Sequence, residues 1–225
     1  MTSIDPAIRA MRALAWLLHP MTPATFMDRY YEKQPLLIKR GNALHYDSRK
    51  FLPGSFQLAD VMRIVGTDGV VYEHDVDVTL YSAAQDSRDT LNKEGPVDVQ
   101  RVNDLIKSKL CSVRLRCPQS RDLRVFRLLE SLEPAFGSYV GCNVYCTPAN
   151  SQGFAPHYDD IEAFILQTMG CKRWRVYPPR GTGGQSGILP RHSSRDYKQH
   201  EAGEPVLECL LEPGDLLYIP RGWVH

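Results

Sequence analysis

The chain has 225 residues, 43% of them hydrophobic, and a formal net charge of +1. That is enough apolar material for a sizeable core, in one barrel-type domain or two smaller ones, and the near-neutral charge provides no long-range attraction to nucleic acid. No apolar run approaches the roughly 18 residues of a membrane helix, so a soluble protein with no membrane partner is expected.

At the start of the chain Asp5 is placed to cap a helix that opens on Pro6, and Ile8, Met11, Leu14 and Leu18 recur at helical spacing. Arg9 and Arg12 give the stretch a faint likeness to an organelle presequence. Its immediate continuation into Thr22-Pro23-Ala24, a second helix start, favours a packed element instead. Phe26, Tyr30 and Tyr31 should face the body of the domain before Gln34-Pro35 breaks the helix and leads into the strand Leu36-Leu37-Ile38. Beyond residue 40 helical and extended pieces alternate: 58–65 reads as a helix, 70–81 as a strand with alternating carboxylates, and 102–110 and 121–132 as helices, with no fixed repeat. From Lys107 to Arg127 seven basic residues stand against one acid, and Arg114 and Arg116 share a strand face. A solvated face accounts for this as well as a charged partner does, so direct nucleic-acid binding is not indicated. The six cysteines show no metal-knuckle or redox spacing, and reduced thiols are expected.

From Gly141 onward short strands follow one another, with a glycine-rich loop at 180–184, a long loop over 178–204 expected near the mouth of the site, and a hairpin turn at Glu212-Pro213-Gly214-Asp215. Many short strands closing around a central site describe a double-sheet jelly roll or cupin, mainly β with flanking helices. Within it, Pro156-His157-Tyr158-Asp159 carries the chemistry. Side chains alternate along an extended segment, so His157 and Asp159 point one way and Tyr158 the other. A third ligand must come from elsewhere, and His225 closes a segment made of a turn and a short apolar strand. Two imidazoles and one carboxylate on one side of a metal leave positions open for oxygen and a co-substrate at non-heme iron. His-x-Asp alone is a weak signal, as His74-Asp75-Val76-Asp77 shows. Lys172 and Trp174 share one face of the strand-like run 172–177, and a lysine facing an interior is costly unless it meets an anion. A bound carboxylate supplies that anion; a lysine with its head in water at a strand end is the plainer alternative.

The run Gly137-Ser138-Tyr139-Val140-Gly141-Cys142-Asn143-Val144-Tyr145-Cys146-Thr147-Pro148, then Ser151-Gln152-Gly153-Phe154-Ala155-Pro156-His157-Tyr158-Asp159-Asp160 and Lys172-Arg173-Trp174-Arg175-Val176-Tyr177, resembles the JmjC-type ribosomal oxygenases, also described as bifunctional lysine-specific demethylases and histidyl-hydroxylases. The resemblance implies a double-stranded β-helix. It makes His157, Asp159 and His225 the catalytic iron ligands, Lys172 the partner of the far carboxylate of 2-oxoglutarate, and Asn143 and Tyr145 polar neighbours of that co-substrate. An Asn and a Tyr on one strand face can also simply satisfy backbone groups. The implied activity is Fe(II)- and 2-oxoglutarate-dependent oxygenation, using molecular oxygen, of a histidyl residue in a ribosomal protein. Demethylation of lysine on a histone tail, or a non-catalytic jelly-roll module, are the alternatives. The resemblance further implies an N-terminal part over 1–135, a JmjC core over 136–225, homodimerisation of the full-length protein, and a nuclear or nucleolar location, with the cytoplasm as alternative. The family's fold continues past the distal histidine, so the core is expected to be incomplete at its C-terminal end.

Overall fold

The computed structural model of the protein describes residues 5–41, 56–180 and 189–225, so most of the glycine-rich loop at 180–184 lies outside the described residues. Two compact units emerge, and they do not follow chain order. One combines residues 1–51 with 156–225, and the other holds residues 52–155.

The first unit begins with α1 (Pro6–Leu18), where the Asp5 carboxylate accepts the Ala7 N–H and Pro6 occupies the first turn. Its buried face is Ala10, Ala13, Leu14, Leu17 and Leu18. Ile8 and Met11, expected on that face, are half exposed; the two alanines permit closer packing than those longer side chains would. After α2 (Pro23–Arg29), capped by Thr22, come β1 (Leu36–Ile38), β6 (Ala163–Leu166), β7 (Lys172–Val176), α6 (Gln199–Ala202), β8 (Leu207–Leu211) and β9 (Leu216–Ile219). The strands form an antiparallel sheet ordered β1-β9-β6 and an antiparallel β7-β8 pair.

Alternation assigns the two faces of the three-stranded sheet. Leu37, Leu217, Ile219, Ala163 and Ile165 join Val176, Leu211, Trp174, Leu207 and Cys209 of the β7-β8 pair in one core. On the opposite face Phe26 of α2 packs on Tyr218 and Phe164, with ring centroids 4.8 and 5.6 Å apart. Tyr218 is fully buried; its hydroxyl accepts the Glu32 N–H at 2.9 Å and donates to Glu162.

The turn at 212–215 is present but does not close a hairpin. β8 pairs with β7, whereas β9 pairs with β1 and β6, so the turn carries the chain from one sheet to the other. This is how a double-sheet fold crosses over without joining consecutive strands. Asp215, fully buried, holds the crossover: its carboxylate accepts the backbone N–H groups of Arg40 (2.8 Å) and Glu212 (2.9 Å) and lies 2.5 Å from Lys39 Nζ. Replacing Asp215 by Ala strands two backbone donors. We expect a loss of roughly 3 kcal/mol, or about 6–12 °C in Tm, and Asp215→Asn should lose a comparable amount, because its single amide oxygen can serve only one of the two backbone donors while its NH2 group faces the other. Thermal melts by circular dichroism check the pair, and equal melting of Asp215→Ala and the parent would remove Asp215 from this role.

The second unit contains α3 (Leu58–Val65), β2 (Val76–Ser82), β3 (Ser87–Thr90), α4 (Val99–Lys109), β4 (Ser112–Arg116), α5 (Leu123–Phe136) and β5 (Asn143–Cys146), with the antiparallel sheet ordered β3-β2-β4-β5. β5, which the sequence groups with the C-terminal core, thus pairs with β4 in this unit. The strand expected over 70–81 starts only at Val76. Val71 and Tyr72 make only isolated bridges, then Glu73 takes a left-handed φ of 66° and Asp75 turns back to accept the Val71 N–H at 2.9 Å, so the chain turns over 73–75 before the strand starts. Gly153 lies hard against β4, where an added Cβ would fall 2.4 Å from the Ser112 side chain. The basic pair Arg114 and Arg116 converges on the buried Asp77, at 2.5 and 3.0 Å, with Asn92 as a further donor at 2.9 Å. Burial raises the Asp77 pKa, but these donors outweigh it and hold the carboxyl below its usual range. Much of the positive charge on that strand face is therefore spent inside the unit. No helix of the described residues is long and apolar enough to cross a membrane, and all six cysteines are free thiols.

Candidate metal centre

His157 and Asp159 do not lie on a regular strand. Residues 157–159 are extended but unassigned, and what holds them is the C-terminal segment. The His157 N–H donates to His225 O at 3.1 Å, the His225 N–H returns to His157 O at 2.8 Å, and the Gly222 N–H donates to Asp159 O at 2.9 Å. Residues that exchange both bonds across an antiparallel pair present their side chains on the same face, and so does the residue two positions along. The backbone thereby dictates that His157, His225 and Asp159 converge. One ligand atom from each can be chosen so that all lie within 4.8 Å of one another.

The chain reaches this register by turning sharply after β9. Gly222 has φ 85°, and a Cβ there would fall 3.0 Å from Pro190. The Tyr177 N–H then donates to Val224 O at 2.8 Å, tying the C-terminal segment to the end of β7. Tyr158 points the other way, as alternation requires, and packs beside Tyr197 against Tyr177, Ala202 and Val224.

The ligand atoms are oriented by their neighbours. His225 Nδ1 lies 3.1 Å from Trp223 O, so Nδ1 carries the proton and Nε2 is left for a metal. Burial, then the adjacent His157 and the Lys172 ammonium, push the His225 pKa down to about 4, against the opposing pull of Trp223 O and Asp159. The imidazole is therefore neutral at pH 7, the form that binds metal. Asp159 Oδ2 sits 3.9 Å from His225 Nε2. Its Oδ1 lies 3.2 Å from Ser193 Oγ, which is also 2.9 Å from Asp160 Oδ1. Ser194 brackets the same stretch: its Oγ accepts the Tyr158 N–H and its own N–H donates to Tyr158 O, both at 2.9 Å.

The long loop over 178–204 thus contributes, through its described part, Ser193 beside the Asp159 carboxylate and Ser194 on the Tyr158 backbone. Nothing in the sequence around Ser193 announces this, because the link between residues 159 and 193 exists only through folding. Ser193→Ala should weaken binding of a divalent ion by about tenfold, since loss of an outer hydrogen-bond partner typically costs 10- to 100-fold. Titration calorimetry with Mn(II) reads that change, and unchanged affinity would assign Ser193 to Asp160 alone.

Lys172 occupies the inner face of its strand, opposite the fully buried Leu211, while Arg173 and Arg175 point outward to Glu208. Its Nζ lies 5.0 Å from the Trp174 ring centroid, and that ring lies 6.0 Å from the His225 ring. An ammonium and the His225 member of the ligand set are therefore linked through the Trp174 ring within one unit. Asn143 and Tyr145 alternate on β5 in the four-stranded sheet, both exposed, with the Tyr145 ring 5.4 Å from that of Phe154 and its hydroxyl bonded to Arg114.

The donor chemistry suits a divalent metal with several coordination positions left open. It suits a dicarboxylate as well, because the buried side faces Lys172 and a buried indole N–H on Trp174 has no partner among the described residues.

Comparison with known proteins agrees with this geometry. The JmjC domain family matches residues 114–225. A Danio rerio protein named Ribosomal oxygenase 1 is 44% identical over 96% of this chain and 38% of its own length. An Aedes aegypti protein named Bifunctional lysine-specific demethylase and histidyl-hydroxylase NO66 is 39% identical over 98% of this chain and 33% of its own. The chain thus spans little more than a third of the length of these relatives. Among solved structures, the ribosomal oxygenase YcfD of Escherichia coli, in complex with cobalt and 2-oxoglutarate, superposes with a TM-score of 0.61 at 18% identity, covering 91% of this chain and 47% of that one. The fold is accordingly the cupin-like one, and the chain carries a JmjC domain over residues 114–225, in a sequence similar to the ribosomal oxygenases.

Proposed function

We propose that the chain forms the catalytic part of an Fe(II)- and 2-oxoglutarate-dependent protein oxygenase that hydroxylates a histidyl residue of a ribosomal protein. The observation that carries this reading is the convergence of one ligand atom each from His157, Asp159 and His225 within 4.8 Å, with Lys172 reached from His225 across the Trp174 ring. Iron(II), when bound there, supplies the redox chemistry that couples oxygen and 2-oxoglutarate to oxidation of an unactivated carbon.

The protein's own residues do the rest. His157, Asp159 and His225 would hold the metal through one ligand atom each, leaving its remaining positions to the reactants. The Trp223 carbonyl keeps the His225 proton on Nδ1, and Ser193 holds the Asp159 carboxylate in place. Lys172 offers a charge for the far carboxylate of the co-substrate, and the core of Val176, Leu211, Leu217 and Ile219 keeps water from that end. Asn143 and Tyr145 are assigned to the co-substrate neighbourhood from the family resemblance.

The names of the relatives support a ribosomal substrate, and one of them also carries lysine demethylation. Full-length protein supplied with iron, ascorbate, 2-oxoglutarate and ribosomal-protein peptides should release succinate and add one oxygen to a histidyl residue by mass spectrometry. Methylated histone peptides losing methyl groups, with ribosomal peptides unchanged, would replace hydroxylation by demethylation. No succinate with either would leave a binding module. A nuclear or nucleolar site of action and a homodimeric full-length protein complete the proposal, tested by imaging of the tagged protein and by sedimentation.

A further inference from the structure

Trp174 shares the inner face of β7 with Lys172. Its indole Nε1 is shielded from solvent and has no hydrogen-bond partner among the described residues. Buried polar hydrogens are nearly always paired, so an orphan of this kind points to a missing acceptor. A phenylalanine or leucine would fill the same part of the core with no such cost. The acceptor's surroundings are defined. The indole stands two residues from Lys172 on the same strand face, with Nζ 5.0 Å from its ring, and 6.0 Å from the His225 ring. It thus lies beside both ends of the distance a dicarboxylate has to bridge. A carboxylate whose oxygens each accept at about 2.8 Å can join two donors roughly 5–7 Å apart. The ammonium stands 5.0 Å from the centroid of the ring that carries the indole N–H, close enough for one carboxylate to reach both.

We infer that the Trp174 indole N–H donates to the distal carboxylate of the co-substrate, sharing that group with Lys172. The inference rests on the oxygenase reading and adds to it a second, neutral donor. Lysine alone is a point charge on a flexible stem and discriminates poorly among anions. A rigid indole N–H beside it fixes the orientation of the carboxylate and thereby the permitted chain length. Trp174 becomes a determinant of which 2-oxo acid is accepted: 2-oxoglutarate, with its distal carboxylate, over 2-oxobutanoate, which has none.

The test uses the protein loaded with Zn(II), which binds the same ligands without redox turnover, and labelled with 15N at its three indoles. Trp16→Phe and Trp223→Phe assign the Trp174 resonance by elimination. Adding 2-oxoglutarate should move the Trp174 indole proton downfield and slow its exchange with solvent, while 2-oxobutanoate leaves it in place. By calorimetry, Trp174→Phe should raise the Kd for 2-oxoglutarate about tenfold, the usual effect of losing a hydrogen bond to a charged group, and leave that for 2-oxobutanoate unchanged. The wild-type titration stands even if Trp174→Phe does not fold. Saturable 2-oxoglutarate binding with an unmoved Trp174 resonance overturns the inference and spares the oxygenase reading. So does an equal shift with 2-oxobutanoate. Absence of any 2-oxoglutarate binding to the Zn(II)-loaded parent overturns both.

Discussion

Replacing Asp159 by Ala should reduce 2-oxoglutarate turnover by the full-length protein to the metal-free background, while the fold survives. Asp159 is the sole carboxylate of the convergent set, so its loss removes a charge as well as a ligand and leaves two imidazoles that retain divalent ions poorly. The fall in metal affinity should exceed the 10- to 100-fold that an outer partner such as Ser193 can account for. The fold is spared because the Asp159 side chain is one-third exposed, and because the register of 157–159 is set by backbone bonds to His225 and Gly222 that the substitution leaves intact. Apo-protein stability should therefore shift by less than about 1 kcal/mol. Calorimetry with Mn(II), succinate release and a thermal melt separate the two effects. Normal succinate release from Asp159→Ala would exclude the triad as the metal centre. A variant that instead melts far below the parent would show the carboxylate to be structural. His157→Ala and His225→Ala should behave alike in turnover.

The ligand pair His157 and Asp159 was legible because alternation in an extended chain is a local property that holds whether or not the segment joins a sheet. His225 was legible only as the end of a turn and apolar strand. Its opposition to His157 arises from reciprocal backbone bonds between positions 68 residues apart along the chain, which no local pattern encodes. The same limit explains the misplaced hairpin at 212–215. Turn chemistry identifies where the chain reverses, but strand partners are chosen by which faces must be buried, and β8 and β9 have different partners. In α1 helical spacing marks Ile8, Met11, Leu14 and Leu18 as the inner row; Leu14 and Leu18 are buried, but close packing selects Ala10 and Ala13 beside them and leaves Ile8 and Met11 half exposed. Over 73–75 the local hydrogen-bonding capacity of Asp75 interrupts a strand-like alternation. Ser193 and the Trp223 carbonyl, which orient two ligands, had no sequence signal at all. The charge on β4 was visible, but its neutralisation by Asp77 required knowing that β2 lies beside β4.

Lys172→Ala should raise the 2-oxoglutarate requirement about 100-fold, with metal affinity nearly unchanged. Removing one partner of a desolvated charge pair typically costs about 2–5 kcal/mol, and 2.8 kcal/mol is a factor of about 100. The position favours a sizeable effect: Lys172 is on the inner face of β7, opposite the buried Leu211 and partly shielded from solvent. Two features distinguish a co-substrate clamp from a general structural role. In the Lys172→Ala protein, the KM for 2-oxoglutarate should rise far more than kcat falls, because the far carboxylate is held alike before and during the reaction. Lys172→Arg should restore part of the loss, since a guanidinium can still pair with a carboxylate, though from a longer stem. The discriminating substrate is again a 2-oxo acid without a distal carboxylate: Lys172→Ala should handle it no worse than the parent does. An unchanged KM for 2-oxoglutarate in Lys172→Ala, measured by succinate release across a concentration series, would remove the lysine from the site and leave its inner-face charge to be explained by its contact with Trp174.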